Sequence, residues 1–368
     1  MKENTSKTAT LREVAALAGT NVATASRALS GRGYSSQKMR DAVIKAAQEL
    51  NFQPNLHARR LVKGRSHNSV ALLSDHDLGV SSRQAFFINS RLGEQGFEVE
   101  THITPRWVHH AEEKQIALAG KVRRELPGAI ISGSSLVPQA IEELQFFIQE
   151  GGVVVGYAEK IDLQCDQVPF DYSHRTYIAT RHLLELGHRE IGYCFHSAVA
   201  EDSFELLGFS RAMEEFGAPI QKDWIFGGGN YGEGGARLAE AFLSWPKKPT
   251  GLCIVNDASA SVFITILYRN GFIVPDDISV VGFDDDPMAQ YALVPLTTAK
   301  YPLEAIGRHV VEFTQSRLKG FDGPPRTVMV QSELVTRSST APYRPMQTGR
   351  TSPSRMGSSR TRKSSEPL

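Results

Sequence analysis

The spacing of apolar residues divides this chain into two differently built parts. In the first 50 residues, apolar positions recur every three or four residues in short segments separated by turn residues, which predicts three short helices. From residue 66 to about residue 340, short β-rich runs alternate with segments of helical periodicity, which predicts an α/β fold with parallel sheets. A body of this length exceeds one ordinary domain and predicts two lobes. The β-rich runs are SVALLS, FEVETHI, GAIISG, GVVVGYA, EIGYCF, GLCIVN and ISVVGF.

The N-terminal pattern predicts a helix, a tight turn, a second helix, a loop and a third helix. This is the order of a helix-turn-helix unit, whose second helix enters the major groove of DNA. The second predicted helix, NVATASRALS, carries small, polar and cationic groups where a surface helix normally carries Glu and Lys. Such groups suit close approach to base edges and phosphates. The expected caps are Thr10 with Glu13, Asn21 and Ser36, and the expected helix ends are Gly19, Leu29 and Leu50.

Charge is divided unevenly along the chain. Residues 1–65 carry twelve basic and four acidic residues, residues 341–368 carry six and one, and the middle carries 23 and 35. A basic head on an acidic body indicates a nucleic acid or another anionic partner for the head. The tail is rich in Ser and Arg and nearly free of apolar residues, so we predict that it is disordered.

The segment PNLHARRLVKGRS, residues 54–66, predicts a hinge. Pro54 disfavours continuation of the third helix, and Asn55 can cap a new turn. The apolar pattern that follows is too short for a helix that is stable alone, because isolated helices under about 12 residues are marginal in water. We therefore expect this segment to fold only with a partner.

These motifs together resemble the LacI/GalR (lactose-repressor) family of bacterial transcriptional regulators. The resemblance runs from residue 10 to about residue 337 and is carried by TLREVAALAGTNVATASRALSG, NFQPNLHARRLVKGRS, HLLELGHREIGY, NDASA, ISVVGFDD and PLTTAKYP. It implies a small all-α helix-turn-helix head and an α/β periplasmic-binding-protein-like body with two lobes. It also implies a small-molecule effector between the lobes, and a homodimer whose two heads bind a pseudo-palindromic operator in double-stranded DNA.

The same resemblance implies roles for residues of the head and hinge. Arg27 suits a pair with guanine O6 and N7, and the small apolar side chains of Val22 and Ala23 suit thymine methyl groups or close approach. Family hinges wedge a leucine between base steps in the minor groove, and Leu61 is the matching position. The expected phosphate-binding residues are Asn21, Thr24, Ser26, Tyr34, Asn55 and Arg59.

Open parallel sheets bind ligands at the carboxyl ends of their strands, and this chain carries polar residues there. Asp75 follows the first β-rich run. By resemblance, Asn256 and Asp284 hydrogen-bond the effector, and Tyr231 packs against it. Members of the family commonly carry Arg three residues before a GF pair, whereas this chain carries Glu205 there.

Glu205 and Asp284 together make the expected cleft acidic unless a cation pairs with them. An acidic cleft favours a neutral sugar, a polyol or an amine over a sugar phosphate or a carboxylate. Arg211 is a candidate for the neutralising neighbour.

Other chemical signals in the chain are weak. Cys165, Cys194 and Cys253 are far apart and odd in number, which predicts neither a disulfide framework nor a zinc site. The histidines lack zinc-site spacing, so we expect no metal. Three glycines in GGGNYGEGG have GxGxxG spacing but follow a short, late run, so we expect a loop entering a helix and no cofactor.

The sequence therefore predicts a cytoplasmic DNA-binding transcriptional regulator, a repressor controlled by an effector, and not an enzyme. We expect no membrane partner, because no run of about 18 apolar residues and no signal-peptide pattern occurs. The alternative is a cytoplasmic two-lobed ligand-binding protein or enzyme with an accessory DNA-binding head. The predicted domains are a flexible N-terminus (1–9), a DNA-binding domain (10–53), a hinge (54–66), an effector-binding and dimerisation domain (67–340) and the tail (341–368).

Overall fold

The structure is a computed structural model that describes residues 10–30, 36–50, 66–75, 79–105, 109–195, 204–228 and 231–345. The chain divides into two compact units. One contains residues 1–66 with residues 124–126, and the other contains the rest of the chain. The predicted fold class, a helical head and an α/β body with parallel sheets, is confirmed.

The described residues of the head form three short helices around a small apolar core. The predicted capping box is present, since the Thr10 side chain accepts a hydrogen bond from the Glu13 N–H and the Glu13 carboxylate accepts one from the Thr10 N–H. Asn21 and Ser36 cap the next two helices, as predicted. The helices are α1 (Leu11–Leu17), α2 (Val22–Ser30) and α3 (Gln37–Glu49). Their buried contacts are made by Val14, Ala15, Ala25, Ala28, Val43, Ala46 and Ala47.

The first lobe of the body is a five-stranded sheet with helices on both faces. Its strand order is β2-β1-β3-β4-β5, and the β1–β2, β3–β4 and β4–β5 pairs are parallel. The elements are β1 (Ser66–Asp75), α4 (Val80–Glu94), β2 (Glu98–Thr104), α5 (Ala111–Arg124), β3 (Pro127–Ser132), α6 (Pro138–Gln149), β4 (Val153–Ala158) and β5 (Asp166–Pro169).

The second lobe has a six-stranded sheet of order β11-β10-β9-β8-β6-β7, in which only the β10–β11 pair is antiparallel among the described pairings. Its helices and first strands are α7 (Tyr172–Glu185), β6 (Ile191–Cys194), α8 (Phe204–Glu215), β7 (Ile225–Phe226), α9 (Tyr231–Ser244), β8 (Gly251–Ile254) and α10 (Asp257–Arg269). The remaining elements are β9 (Ser279–Asp284), β10 (Thr297–Lys300), α11 (Leu303–Leu318), which packs on the first lobe, and β11 (Glu333–Val335).

All seven predicted β-rich runs form strands, but four further strands were not predicted. These are β5, β7, β10 and β11, which are two to four residues long. Their sequences, DQVP, IF, TTAK and ELV, contain neither a long apolar run nor an extended alternating pattern, so periodicity does not reveal them. Only pairing with a neighbouring strand defines them.

The edge strand β5 is held by an ion cluster around Asp166. The Asp166 side chain is fully buried and accepts hydrogen bonds from both Arg317, at 2.8 and 2.9 Å, and Arg326, at 2.5 and 3.2 Å. Burial acts to raise the pKa of Asp166, but the hydrogen bonds from the two arginines outweigh it and lower the pKa to about 2. This cluster ties β5 to α11 and to the segment before β11.

The chain crosses between the lobes three times, after β5, after β10 and after α11. Aromatic residues lie at the first two crossings, where the rings of Phe170 and Tyr301 make an edge contact with centroids 4.8 Å apart. The third crossing runs alongside the first, since Phe170 forms a parallel bridge with Val330. A hinge between the two lobes therefore lies at these aromatic residues, which are distinct from the hinge segment of residues 54–66.

The segment after β11 is packed on the second lobe through histidine contacts. The Nε2 atom of buried His188 donates to the Ala341 carbonyl at 3.0 Å, and Nδ1 lies 2.9 Å from the Thr250 hydroxyl. Burial lowers the pKa of His188, against a smaller opposing effect of the bond to Ala341. Residues 341–345 thus belong to the folded body, while residues 346–368 of the predicted tail lie outside the described residues.

Protonation of His188 should make the body less stable in mild acid. An unfolded histidine takes up a proton near pH 6.5, whereas folded His188 does so only at lower pH, so the unfolded state binds more protons between these values. The stability that neutral His188 contributes is complete above about pH 6.5 and falls as the pH drops through that value. Melting temperatures at about pH 7.5 and pH 5.5 check this. The difference between the two melting temperatures should be smaller in His188→Gln than in the wild-type chain, but unchanged in His174→Gln. An equal decrease in both variants would contradict the role of His188.

Candidate functional site

One face of α2 presents the residues expected to contact bases. Val22 is 42% exposed, and Ala23 and Arg27, one helical turn apart, are also exposed. Ala25 and Ala28 are buried on the opposite side of the helix. Small residues beside an exposed guanidinium leave room for a helix to approach base edges. The geometry is therefore that of a recognition helix.

Asn21 and Thr24 lie at the N-terminus of the same helix. The Asn21 Oδ1 accepts the Thr24 N–H at 2.8 Å, and the Thr24 hydroxyl accepts a hydrogen bond from Arg27 Nη2 at 3.3 Å. Thr24 therefore orients the Arg27 guanidinium along the helix surface. Ser26 lies in α2 without a described side chain, and Tyr34, Asn55, Arg59 and Leu61 lie outside the described residues.

In the body, Glu205 and Asp284 are brought together by an arginine that was not predicted. Arg175, in the first turn of α7, donates through Nη2 to Glu205 Oε1 and through Nη1 to Asp284 Oδ1, the latter at 3.2 Å. The Arg175 side chain is 6% exposed, and the side chains of Glu205 and Asp284 are 20% and 14% exposed. The three residues, which we call the cleft ion cluster, have a net charge of −1.

Arg175 is the cation that pairs with the two carboxylates, the condition under which the sequence predicted a less acidic cleft. Arg211 is not the pairing group, because its guanidinium lies 4.0 Å from the centroid of the Tyr177 ring. Burial acts to lower the pKa of Arg175, but the charges of Glu205 and Asp284 outweigh it, so the pKa is raised and the cation is secured. Its guanidinium also lies 4.7 Å from the Phe283 ring centroid. The cleft is thus less acidic than the sequence indicated.

A strained turn carries Asp284 at the carboxyl end of β9. Asp284 and Asp285 have φ values of 100° and 48°, a left-handed region that non-glycine residues rarely adopt. The Asp257 Oδ2 accepts the Asp286 N–H at 2.7 Å, and Arg337 Nη2 lies 2.6 Å from Asp285 Oδ1. These bonds fix the turn, which we call the 284–286 turn.

Asn256 directly precedes Asp257, which binds this turn, and Tyr231 lies at the start of α9 in the same lobe. Asn256 is 7% exposed and its Oδ1 caps α10 by accepting the Ser259 N–H at 2.8 Å. The Ser259 hydroxyl in turn donates to the Tyr231 carbonyl at 2.9 Å, which joins the starts of α9 and α10. Both residues therefore have structural contacts of their own. The predicted loop entering a helix is also present, since α9 begins at Tyr231.

Asp75 lies in the other lobe, at the carboxyl end of β1. It is 9% exposed and lines a cavity of about 340 Å³ that is formed by first-lobe residues, among them Phe86, Asn89 and Ile103. Burial raises the pKa of the neighbouring Tyr157, and the charge of Asp75 adds to the effect. The structure thus brings Glu205 and Asp284 together through Arg175, joins Asn256 and Tyr231 through Ser259, and places Asp75 in the other lobe.

Two family models match the parts of the chain just described. Residues 10–55 match the model of bacterial regulatory proteins of the lacI family, and residues 180–340 match a periplasmic binding protein-like domain. The chain thus carries a LacI-family DNA-binding domain and a periplasmic-binding-protein-like domain. It is a transcriptional regulator with a helix-turn-helix DNA-binding head.

Curated relatives match this chain over about 90% of its length. The HTH-type transcriptional repressor PurR of Vibrio parahaemolyticus is 27% identical over 334 residues, which cover 90% of this chain and 98% of that protein. The HTH-type transcriptional regulator GalS of Salmonella typhimurium is 28% identical over 341 residues, covering 90% and 96%. These proteins are transcriptional regulators, not enzymes.

Solved structures of LacI-family proteins share the fold. The lac repressor dimer bound to operator and the anti-inducer ONPF has a TM-score of 0.72 at 22% identity, covering 91% of this chain and 100% of that chain. A LacI-family regulator from Silicibacter pomeroyi has a TM-score of 0.76 at 23% identity, covering 90% and 99%. At sequence identities of 22% and 23%, these structures show that the fold is shared and nothing more.

Within the body, sequence reasoning missed Arg175. A signal was present, because Arg175, Ala179 and Leu183 lie four residues apart on the buried face of α7. A cation on an apolar stripe requires a buried acidic partner, since an unpaired buried charge is strongly destabilising. That reasoning indicates a partner but does not identify Glu205 and Asp284, which are distant in sequence.

Proposed function

We propose that this regulator represses transcription by binding a pseudo-palindromic operator as a homodimer, and that a small effector between its lobes controls operator affinity. The observation that carries the DNA-binding part is the exposed Val22, Ala23 and Arg27 face of α2, within a head of net charge +8 over residues 1–65. Two identical heads related by two-fold symmetry read two half-sites. The site of action is the cytoplasm, where bacterial DNA lies.

Residues of the hinge and further residues of the head complete the proposed DNA interface. Leu61 would wedge a base step in the minor groove, while Tyr34, Ser26, Asn55 and Arg59, with Asn21 and Thr24, would bind phosphates. No segment of the described residues forms a helix long and apolar enough to cross a membrane. The proposed partners are therefore DNA, the effector and a second copy of the chain.

Exposed apolar side chains support the homodimer. Phe86 is 74% exposed and Ile103 is 50% exposed, and both line one first-lobe cavity. In the second lobe, Tyr268 is 62% exposed. Contiguous exposed apolar surface marks interaction sites. Light scattering coupled to size exclusion should give twice the chain mass, and Phe86→Glu should reduce it. A monomeric wild-type chain would rule out this assembly.

The proposed effector is a neutral sugar, a polyol or an amine. The cleft ion cluster keeps one excess negative charge, which disfavours anions, and its carboxylates accept hydrogen bonds from hydroxyl or ammonium groups. Asp284, Glu205, Asn256 and Tyr231 would contact the effector from the second lobe, and Asp75 from the first. A thermal-shift screen of neutral sugars, polyols, amines and sugar phosphates on the full chain tests this, because a ligand of the folded state raises the melting temperature.

In vitro selection of duplexes from a random library tests the DNA-binding proposal. The full chain should enrich a pseudo-palindromic sequence, and a library without enrichment would refute sequence-specific binding. The enriched duplex also supplies the probe for the head variants.

No observation favours an enzymatic role, so we propose that the chain catalyses no reaction.

Arg27→Ala should reduce affinity for the enriched duplex by roughly 1–3 kcal/mol while leaving affinity for random duplex near the wild-type value. The reason is that a base contact is lost while the buried head core is untouched. Fluorescence anisotropy on both duplexes measures the effect. Lys45→Ala, an exposed cation of α3, is the matched control and should change specific binding little. An equal loss on both duplexes would show that Arg27 binds only phosphate.

A further inference from the structure

The lobes are joined directly at the residue expected to bind the effector. Arg83, on the first-lobe helix α4, donates through Nη2 to the main-chain carbonyl of Asp284 at 3.3 Å. The donor belongs to the first lobe and the acceptor to the second. Arg83 is half-buried, so water competes only partly for this bond. This hydrogen bond thus joins the two lobes at the proposed effector position.

The acceptor in this bond is held rigidly. Left-handed φ values at two successive non-glycine residues persist only where the surroundings fix them. Here the 284–286 turn is fixed by the bond from the Asp286 N–H to Asp257, by the Arg337–Asp285 ion pair and by the Asp285 N–H, which donates to the Thr298 hydroxyl at 3.3 Å. The direction of the Asp284 carbonyl is therefore set by the second lobe. A change in this turn necessarily changes the bond to Arg83.

The same carbonyl is also linked to a crossing between the lobes. The Tyr301 N–H donates to it at 3.4 Å, and Tyr301 lies between β10 and α11, with its ring against Phe170 of another crossing. The Asp284 side chain, in contrast, binds Arg175. Asp284 therefore belongs to the cleft ion cluster through its side chain. Through its carbonyl it contacts Arg83 of the first lobe and Tyr301 at the crossing between the lobes.

Arg83 retains donor capacity in this arrangement. Its Nε is buried with no hydrogen-bond partner among the described residues. An unsatisfied buried donor is costly, so any state that supplies it with an acceptor is favoured relative to this one. The present arrangement of Arg83 is thus one that a second arrangement of the lobes, or a bound acceptor, can displace.

We propose that Arg83 is a positioning residue that couples occupancy of the effector cleft to closure of the two lobes. This inference rests on the proposed effector function. An effector that engages the Asp284 carboxylate shifts the 284–286 turn, and the turn transmits the shift to Arg83 and Tyr301. The effector changes the closure equilibrium only by the difference in its affinity for the two arrangements.

Hydrogen exchange on the full chain without ligand tests the coupling bond. Arg83→Gln should speed amide exchange at least about threefold in peptides spanning residues 79–94 and 279–301, because a hydrogen bond between the lobes is lost. Arg83→Lys, which keeps a cationic donor, should restore part of the protection. Arg91→Gln is the matched control, since Arg91 lies on the same helix and pairs only locally with Glu94 among its described ion pairs. Wild-type exchange in Arg83→Gln, or faster exchange spread over the whole chain, would overturn the proposal.

A second measurement separates this proposal from the function on which it rests. With the enriched duplex and a thermal-shift effector, Arg83→Gln should bind each alone within about twofold of wild type, but should reduce the change in duplex affinity caused by the effector at least about threefold. An unchanged effector response would refute coupling through Arg83. If the selection enriches no duplex, or the screen finds no effector, the proposed function fails. The hydrogen-exchange experiment still decides whether Arg83 joins the lobes.

Discussion

Arg175→Met should destabilise the second lobe by about 3–5 kcal/mol at neutral pH, because it leaves two carboxylates together in a buried setting with no cation. Glu205 and Asp284 both bind the Arg175 guanidinium, and neither is more than 20% exposed. Urea denaturation followed by the fluorescence of Trp224 and Trp245, both in this lobe, measures the effect.

Control variants separate the charge of Arg175 from its bulk. Arg175→Lys keeps the cation and should retain part of the stability, whereas Arg181→Met, an exposed position of the same helix, should change stability little. Combining Arg175→Met with Glu205→Gln should recover part of the loss, because one of the two carboxylates is then neutral. If Arg175→Met were as stable as the wild-type chain, the cleft ion cluster would not hold the lobe together.

Asp166→Asn should destabilise the first lobe by about 3–5 kcal/mol, because it leaves Arg317 and Arg326 without the carboxylate that both bind. The pKa of about 2 also fixes a pH window. The stability that ionised Asp166 contributes is complete above the ordinary aspartate value of 3.8 and is lost as the pH falls towards 2. Far-UV circular dichroism during denaturation of the full chain measures both effects.

The neighbouring Asp162→Asn provides the matched control for Asp166. Asp162 is exposed and lies in the same loop before β5, so its substitution should leave stability near the wild-type value. Between about pH 4 and pH 2, the wild-type chain and Asp162→Asn should lose stability more steeply than Asp166→Asn. Parallel losses in all three proteins would show that Asp166 does not titrate as its contacts require.

The sequence by itself determined the head and the order of elements in the body. Helix caps depend on residues three positions apart, so Thr10 with Glu13 and Asn21 with Thr24 are decided locally and are visible in the sequence. Strands buried on both faces require continuous apolar runs, so the longer parallel strands were predicted as well. Local rules therefore specify the family architecture.

Only the tertiary structure decided how the proposed effector cleft is charged. Arg175, Glu205 and Asp284 lie on three different elements, and Arg83 reaches Asp284 from 201 residues away. Sequence periodicity shows which side of an element is buried, but not which buried charges meet. Because the energy of a buried charge depends on its partner, Glu205 read alone indicated an acidic site, whereas Glu205 beside Arg175 is half of an ion pair. Pairings between distant charges exist only once the lobes have folded.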